Sequence, residues 1–257
     1  MSGLPAWSEP RTAIVTGSGS GIGLATGMRL AAEGAAVAVW DIDGDSAKAA
    51  AAQITEAGGT AVGLAVDVAD RSRIDEALAE VRSLLGPATI LVNNAGISPF
   101  KRFLDISAED FARVMAVNLA GTFHCCQAVA PDMIAAGWGR IVNISSSSAQ
   151  TGNTRQAHYA ASKAGVIGLS RSLAQELGPK GITVNIVPPS FIDTPALRGS
   201  AEAGFLGSGV ESHVQSTPVR RVGRPEDIAS ACVYLARDEA GFITGQVVGV
   251  NGGRVIV

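Results

Sequence analysis

Charge of either sign is scarce in these 257 residues: Asp, Glu, Lys and Arg together make up 17%, and the formal net charge is -3. With 47% hydrophobic residues, the chain carries too much apolar surface to stay disordered. No run of Lys or Arg marks a surface for nucleic acid. Long apolar runs are missing as well. Mean hydropathy is +0.27, yet the apolar residues are spread in short stretches such as 35–40, far below the roughly 18 residues of a membrane span. Residues 1–10 lack the basic start and apolar stretch of a secretory signal. Cysteine is limited to three, two of them adjacent at Cys125 and Cys126. They cannot pair completely and read as small buried hydrophobes in a reducing cytoplasm. His124 and His213 are isolated, and no His/Cys/Asp cluster has ligand spacing, so no metal site is expected.

What is present is a strict alternation. Short apolar runs at 12–16, 36–40, 61–66, 89–92, 140–144 and 183–187 read as strands buried on both faces, with a last one near 247–250. Ala-rich stretches at 22–33, 45–57, 71–85, 108–136, 157–177 and 225–236 read as helices between them. The pattern predicts one α/β domain over 1–257, a doubly wound Rossmann fold with a mainly parallel seven-stranded sheet flanked by helices. Only 188–218, with four prolines and four glycines, interrupts it. It reads as an irregular mobile segment with a substrate flap at about 190–217.

The first strand runs into Thr16-Gly17-Ser18-Gly19-Ser20-Gly21-Ile22-Gly23 directly before a helix. Glycines there permit a tight turn and bring backbone N–H groups close to a pyrophosphate at the helix N-terminus. Gly17, Ser20, Ile22 and Gly23 are the expected cofactor contacts. Asp41 ends the second strand, 18 residues beyond Gly23, where a carboxylate accepts hydrogen bonds from ribose hydroxyls. Asp43 and Asp45 follow, and no Lys or Arg lies in the loop or just after Asp41. A 2′-phosphate would meet like charge, worth roughly 4 kcal/mol at about 4 Å and an effective dielectric of 20. NAD is therefore expected over NADP.

Tyr159 and Lys163 stand at i and i+4, on one helix face. A tyrosine of pKa near 10 needs roughly 4 kcal/mol of differential stabilisation to reach about 7. A neighbouring ammonium and an oxidised nicotinamide have the right sign, and the phenol then serves as acid toward a ketone or base toward an alcohol. Together with Asn93-Asn94-Ala95-Gly96, the serines at 145–148 and the glycine-rich turn, this pair resembles the short-chain dehydrogenase/reductase family over roughly 11–253.

The resemblance implies further roles. Ser146, 13 residues before Tyr159, is the catalytic serine, a hydrogen-bond donor to the substrate oxygen. Ser145 and Ser147 are packing or supporting residues, and Ser148 is left open. Asn118 matches the asparagine that holds a water linking Lys163 to solvent, and Lys163 also reaches the nicotinamide ribose. Asp67 and Val68 match adenine-side contacts, Asn94 a contact after the fourth strand, and Ile192 and Thr194 the residues around the nicotinamide carboxamide. Pro189-Ser190 replaces the usual Pro-Gly, which restricts the backbone there. His158 points about 100° from Tyr159 around the helix and reads as a surface or pocket-rim residue. Gly165 and Gly168 suit close helix approach, and relatives commonly form tetramers through this helix, which implies a homotetramer.

The flap carries Phe191, Leu197, Phe205, Leu206 and Val210 with Arg198 and His213 interspersed, an apolar pocket with a polar rim. The segments 220–227 and 243–246 resemble the branch around 3-oxoacyl-carrier-protein reductases, whose typical members use NADPH. The expected activity is NAD(H)-linked interconversion of a secondary alcohol and a ketone, on a 3-hydroxyacyl thioester or a cyclic alcohol. Arg102, Arg198 and Arg221 are candidate contacts for an anionic carrier or coenzyme A. The alternatives are an NADPH-dependent 3-oxoacyl-carrier-protein reductase and a dinucleotide-binding sensor without catalysis.

Overall fold

The structure is a computed structural model that describes residues 6–205 and 209–256. Six strands form one sheet: β1 (Thr12–Thr16), β2 (Ala36–Asp41), β3 (Thr60–Ala65), β4 (Ala88–Asn93), β5 (Gly139–Ile144) and β6 (Ile182–Val187). Their order is β3-β2-β1-β4-β5-β6, and every pair is parallel. Helices connect them: α1 (Gly21–Ala32), α2 (Gly44–Glu56), α3 (Arg71–Leu85), α4 (Ala108–Met115), α5 (Gly121–Ala136), α6 (Ser148–Thr151), α7 (Ala157–Leu177), α8 (Pro195–Glu202), α9 (Gly209–Ser216) and α10 (Pro225–Ala236). No described helix is long and apolar enough to cross a membrane.

The uninterrupted apolar character of the strands follows from a core on each side of the sheet. Ala13, Val15, Val37, Val39, Ile90 and Val92 face α1, α2 and α10 through residues such as Leu30, Ile54 and Ile228. The alternate residues Ile14, Ala38, Trp40, Leu91 and Ile141 face α3, α5 and α7 through Ile74, Leu78, Val129 and Leu177. Side chains alternate along a strand, so a strand covered by helices on both faces has no polar side. The three cysteines are buried, and burial pushes the Cys126 and Cys232 thiols up to about 12, with Cys125 also raised.

Three expectations need correction. The seventh strand is reduced to the parallel bridges Ile186↔Val247 and Pro189↔Val250 beside β6. Gly245, Gly252 and Gly253, all at positive φ, turn the chain away on either side. The helix expected over 108–136 contains a wider π turn at Ala116–Ala120 between α4 and α5. The segment 188–218 is not irregular throughout, because it holds α8 and α9. Pro195 sits at the start of α8, where a missing N–H does no harm, and Thr194 caps it by accepting from Leu197 N. Leu206 lies outside the described residues.

Chain direction changes sides between β1 and β4, the neighbours from which the two halves of the sheet grow outward. Their C-terminal ends therefore open a crevice, the place where parallel α/β sheets receive ligands.

Candidate active site

Two loops meet in that crevice. Gly17, at φ +61°, lies so close to the segment after β4 that a Cβ there would stand 2.8 Å from Ala95 Cα. A Cβ on Gly23 would stand 2.3 Å from the Gly17 carbonyl oxygen. Both positions demand glycine for close backbone approach. Asn94 fastens the contact: its Nδ2 donates to Thr16 O at 3.0 Å and to Gly17 O at 2.8 Å. Thr16 Oγ1 in turn accepts from Asn94 N and Ala95 N. Asn94 thus holds the glycine-rich loop through side chain and backbone.

The start of α1 differs from its neighbours. Asp43, Asp70 and Ser107 cap α2, α3 and α4 with their side chains. Ser20 at the start of α1 makes no such bond, and no acidic residue stands in the first turn. The first-turn N–H groups and the positive end of the helix are left for an anion, which fits the pyrophosphate of a dinucleotide. Asp41 closes this end, with Oδ2 accepting from Gly19 N at 2.9 Å and Oδ1 from Asp43 N at 3.1 Å. A carboxylate has about four acceptor positions, so further ones remain for hydroxyl donors. Ile22 and Gly23 lie in the first turn of α1. Asp67 is exposed and accepts from Ala69 N, whereas Val68 is buried against Gly121, where a Cβ would come within 2.8 Å of Val68 Cγ2.

At the C-terminal end of β5 the chain brings together the residues expected to carry chemistry. Lys163 is buried and donates from Nζ to Ile144 O at 2.8 Å, and burial lowers its pKa to about 8. Ser145 Oγ donates to Lys163 O, tying the serine loop to α7. Ser146 Oγ accepts from Ser148 N at 3.1 Å, and its hydroxyl acts on the Tyr159 phenol. Burial raises the phenol pKa and the Ser146 hydrogen bond opposes that rise. The protein's own groups thus leave the phenol high, opposite in sign to the lowering expected with an oxidised nicotinamide beside it.

Asn118 is fully buried. Its Oδ1 accepts from Ile97 N at 2.8 Å, and its Nδ2 donates to Ile97 O and to Ser162 Oγ, each at 3.0 Å. Gly96 stands between Asn118 and Lys163: a Cβ on it would lie 3.2 Å from Asn118 Oδ1 and 3.3 Å from Lys163 Nζ. Asn118 belongs to the π turn, a helical irregularity frequent at functional sites. Gly165 lets α7 approach this turn, since a Cβ there would stand 2.8 Å from Leu119 Cδ2, whereas Gly168 faces open space.

The segment after β6 completes the wall. Ile192 is buried and bridged to Gly223, and Thr194 Cγ2 lies 3.3 Å from where a Cβ of Gly21 would be. Ser190 adopts no left-handed backbone, so the residue needs no glycine there and the expected restriction produces no strain. Phe100, in the loop tied to the segment just before α7 through Lys101 N to Arg155 O and Gln156 Nε2 to Ser98 Oγ, stacks on Phe205 with ring centres 5.2 Å apart. Phe191 stacks on His213 of α9 with ring centres 3.7 Å apart, and Arg254 contacts both, its guanidinium 4.8 Å from the Phe191 ring centre and 3.2 Å from His213 Nδ1.

Some roles read from the chain shift. His158 is buried, not at the surface. Both ring nitrogens lack partners, and it lines a hollow of about 460 Å³ with Phe103, Ile106, Ser107 and Phe111. Burial lowers its pKa, aided by Lys101 and opposed by Asp110. Arg198 is paired with Asp193 and Arg221 with Asp227, so both charges are already matched. Ser162 and Gln156 carry no signal in the sequence, and Thr16 and Gly96 stand in the quoted motifs without an assigned contact, because each acts through a partner distant in the chain. Only a position beside the catalytic helix motif marks Ser162 and Gln156.

Residues 17–254 match a family model described as enoyl-(acyl carrier protein) reductase. The short-chain reductase protein NovJ of Streptomyces niveus is 43% identical, over 96% of this chain and 95% of its own length. The (2S)-[(R)-hydroxy(phenyl)methyl]succinyl-CoA dehydrogenase subunit BbsD of Thauera aromatica is 40% identical, over 96% and 97%. The 3-oxoacyl-[acyl-carrier-protein] reductase FabG of Aquifex aeolicus is 40% identical, over 95% and 97%.

Proposed function

The chain belongs to the short-chain dehydrogenase/reductase family of oxidoreductases that act on hydroxyl and keto groups, and from that premise we propose that it is an NAD(H)-dependent enzyme interconverting a secondary alcohol and a ketone. The observation that carries this reading is the convergence of Ser146, Tyr159, Lys163 and Asn118 beside an uncapped α1. When bound, the nicotinamide supplies the hydride acceptor or donor and, in its oxidised form, a positive charge.

In the oxidative direction Tyr159 takes the hydroxyl proton as the carbinol carbon loses its hydride. Ser146 hydrogen-bonds the same oxygen and stabilises the charge that develops on it. Lys163 keeps an ammonium near the phenol and binds the nicotinamide ribose. Asn118 positions Lys163 through the Gly96–Ile97 segment. Gly17, Ser20, Ile22 and Gly23 hold the pyrophosphate, Asn94 the loop behind it, Asp67 and Val68 the adenine side, and Ile192 and Thr194 the carboxamide.

Asp41 is the reason for choosing NAD. Its carboxylate sits on the Gly19 amide, 2.9 Å from Oδ2, where a 2′-phosphate would approach. Two of the relatives named above carry an acyl thioester in their names, which favours a 3-hydroxyacyl thioester over a cyclic alcohol as substrate. Exposed Phe103, Phe111 and Phe123 on and before α4 and α5 favour a homotetramer, which analytical ultracentrifugation would test.

The deciding experiment follows absorbance at 340 nm with NAD and 3-hydroxyacyl thioesters, then repeats it with Tyr159→Phe. The variant is expected to bind NADH nearly as the wild type does and to lose turnover. Undiminished turnover would sink the mechanism.

A further inference from the structure

The helix α9 is fastened to the rest of the fold by few contacts. It has eight residues, none of them buried, and a helix this short has no stability of its own in water. Its place is therefore set by the point contacts it makes. His213 stacks on Phe191. Arg254 donates from one guanidinium nitrogen to His213 Nδ1 at 3.2 Å and to Ser216 Oγ at 3.0 Å, with the guanidinium 4.8 Å from the Phe191 ring centre. Arg198 and Arg221 spend their charge on Asp193 and Asp227. Arg254 has no ion pair among the described residues, and its donors go to α9.

Both anchors of α9 are themselves fixed. Phe191 O accepts from Gly223 N at 2.9 Å, and the next residue, Ile192, is bridged to Gly223. Ser147 N donates to Pro189 O at 2.8 Å, so the Phe191 platform is continuous with the catalytic serine loop. On the other side, buried Asn251 shapes the turn that carries Arg254: its Oδ1 accepts from Gly253 N at 2.9 Å and its Nδ2 donates to Val255 O at 3.0 Å. Gly252, at φ +66°, lets this turn lie against the residues after α9, since a Cβ there would stand 2.7 Å from Thr217 Cγ2.

The elements joined to α9 cover the crevice. Thr194, which caps α8, lies against Gly21 of the glycine-rich loop. Phe205, beyond α8, stacks on Phe100 in the loop after β4, and α9 returns the chain to Phe191. Resting on the reading that this crevice takes a nicotinamide dinucleotide and an alcohol, we propose that Arg254 is a positioning residue for the substrate: it pins α9 to Phe191 and so holds the wall of the substrate half of the cleft. The cofactor half has supports of its own in the Ile192 bridge and the Thr194 cap, so the effect falls on the substrate.

The test is Arg254→Met, which keeps a long side chain and removes its donors, beside Arg254→Lys. We expect Arg254→Met to raise KM for the 3-hydroxyacyl thioester about 3- to 10-fold, because the competent position of α9 is less populated, with kcat within about twofold and NADH affinity by fluorescence unchanged. In the ligand-free protein, amide hydrogen exchange in α9 should be at least about fivefold faster, with α7 and α10 as in the wild type and the melting temperature within about 2 °C. Arg254→Lys keeps the charge without the planar fork and should fall between the two. Unchanged KM, or unchanged exchange in α9, would overturn the role. So would equal weakening of NADH and substrate, or faster exchange throughout with a fall in melting temperature, which marks a merely structural residue. A wild type that turns over no 3-hydroxyacyl thioester would overturn the proposed reaction and the substrate part of this role, while the exchange measurement would still decide whether Arg254 holds α9.

Discussion

Replacing Lys163 with Met isolates the energetic consequence of burying an ammonium. Burial lowers the Lys163 pKa from 10.5 to about 8. Between those values the unfolded chain binds more protons at this site than the folded one, so the contribution of Lys163 to stability rises with pH. At pH 7 it is near zero on this scale. By pH 9 it is on the order of 1 kcal/mol and by pH 10 on the order of 2–3 kcal/mol, at roughly 1.4 kcal/mol per pKa unit. Other groups act in the opposite direction. Cys125, Cys126 and Cys232 have thiol pKa values raised by burial, as does the Tyr159 phenol. Their ionisation in the unfolded chain, from about pH 9 for the thiols and pH 10 for the phenol, removes stability. Those contributions are common to wild type and Lys163→Met and cancel in the difference. Urea unfolding of both proteins at pH 7 and pH 9 is the assay. The wild type should gain about 1–2 kcal/mol on the variant across that interval, equivalent to roughly 2–6 °C in melting temperature. A difference that is flat, or that shrinks with pH, would refute a buried ammonium.

Asp41→Ala should raise kcat/KM with NADP(H) relative to NAD(H) by about tenfold or more, measured with both cofactors; a wild type that already prefers NADPH would contradict the assignment. Gly23→Ala places a Cβ 2.3 Å from the Gly17 carbonyl oxygen and should abolish NADH binding with a clear loss of melting temperature. Asn143 accepts from Asn93 Nδ2 and donates to Ser170 Oγ, each at 2.8 Å. Asn143→Ala leaves a buried partner on each side and should cost about 2–3 kcal/mol in denaturant unfolding.

The helices at 71–85, 157–177 and 225–236 were readable to the residue because periodic Ala, Leu and Ile coincide with clear end signals, such as Asp70 before α3 and Pro225 at the start of α10. Residues 247–250 look equally apolar but lie between glycines at positive φ, and turn geometry limits them to bridges. In the site, Tyr159 and Lys163 were legible as neighbours because they share one helix. Their pKa directions were not, since these depend on burial against β5 and the serine loop. The burial of His158 escaped notice for a similar reason: the angle around a helix does not say what packs on that side. Here it is the segment 103–111.

The π turn at 116–120 winds one residue more than a regular helix needs between α4 and α5. Deleting one residue there would restore an ordinary helical ladder between α4 and α5, because the wide turn is what absorbs the surplus residue, but the side chains of the turn itself would be re-aimed. Asn118 would swing off both Ile97 contacts and Ser162, and Leu119 would leave the notch at Gly165. The smallest edit that makes this helix more regular is thus one that disconnects Lys163 from its support, and the extra residue marks where helical order has been traded for alignment.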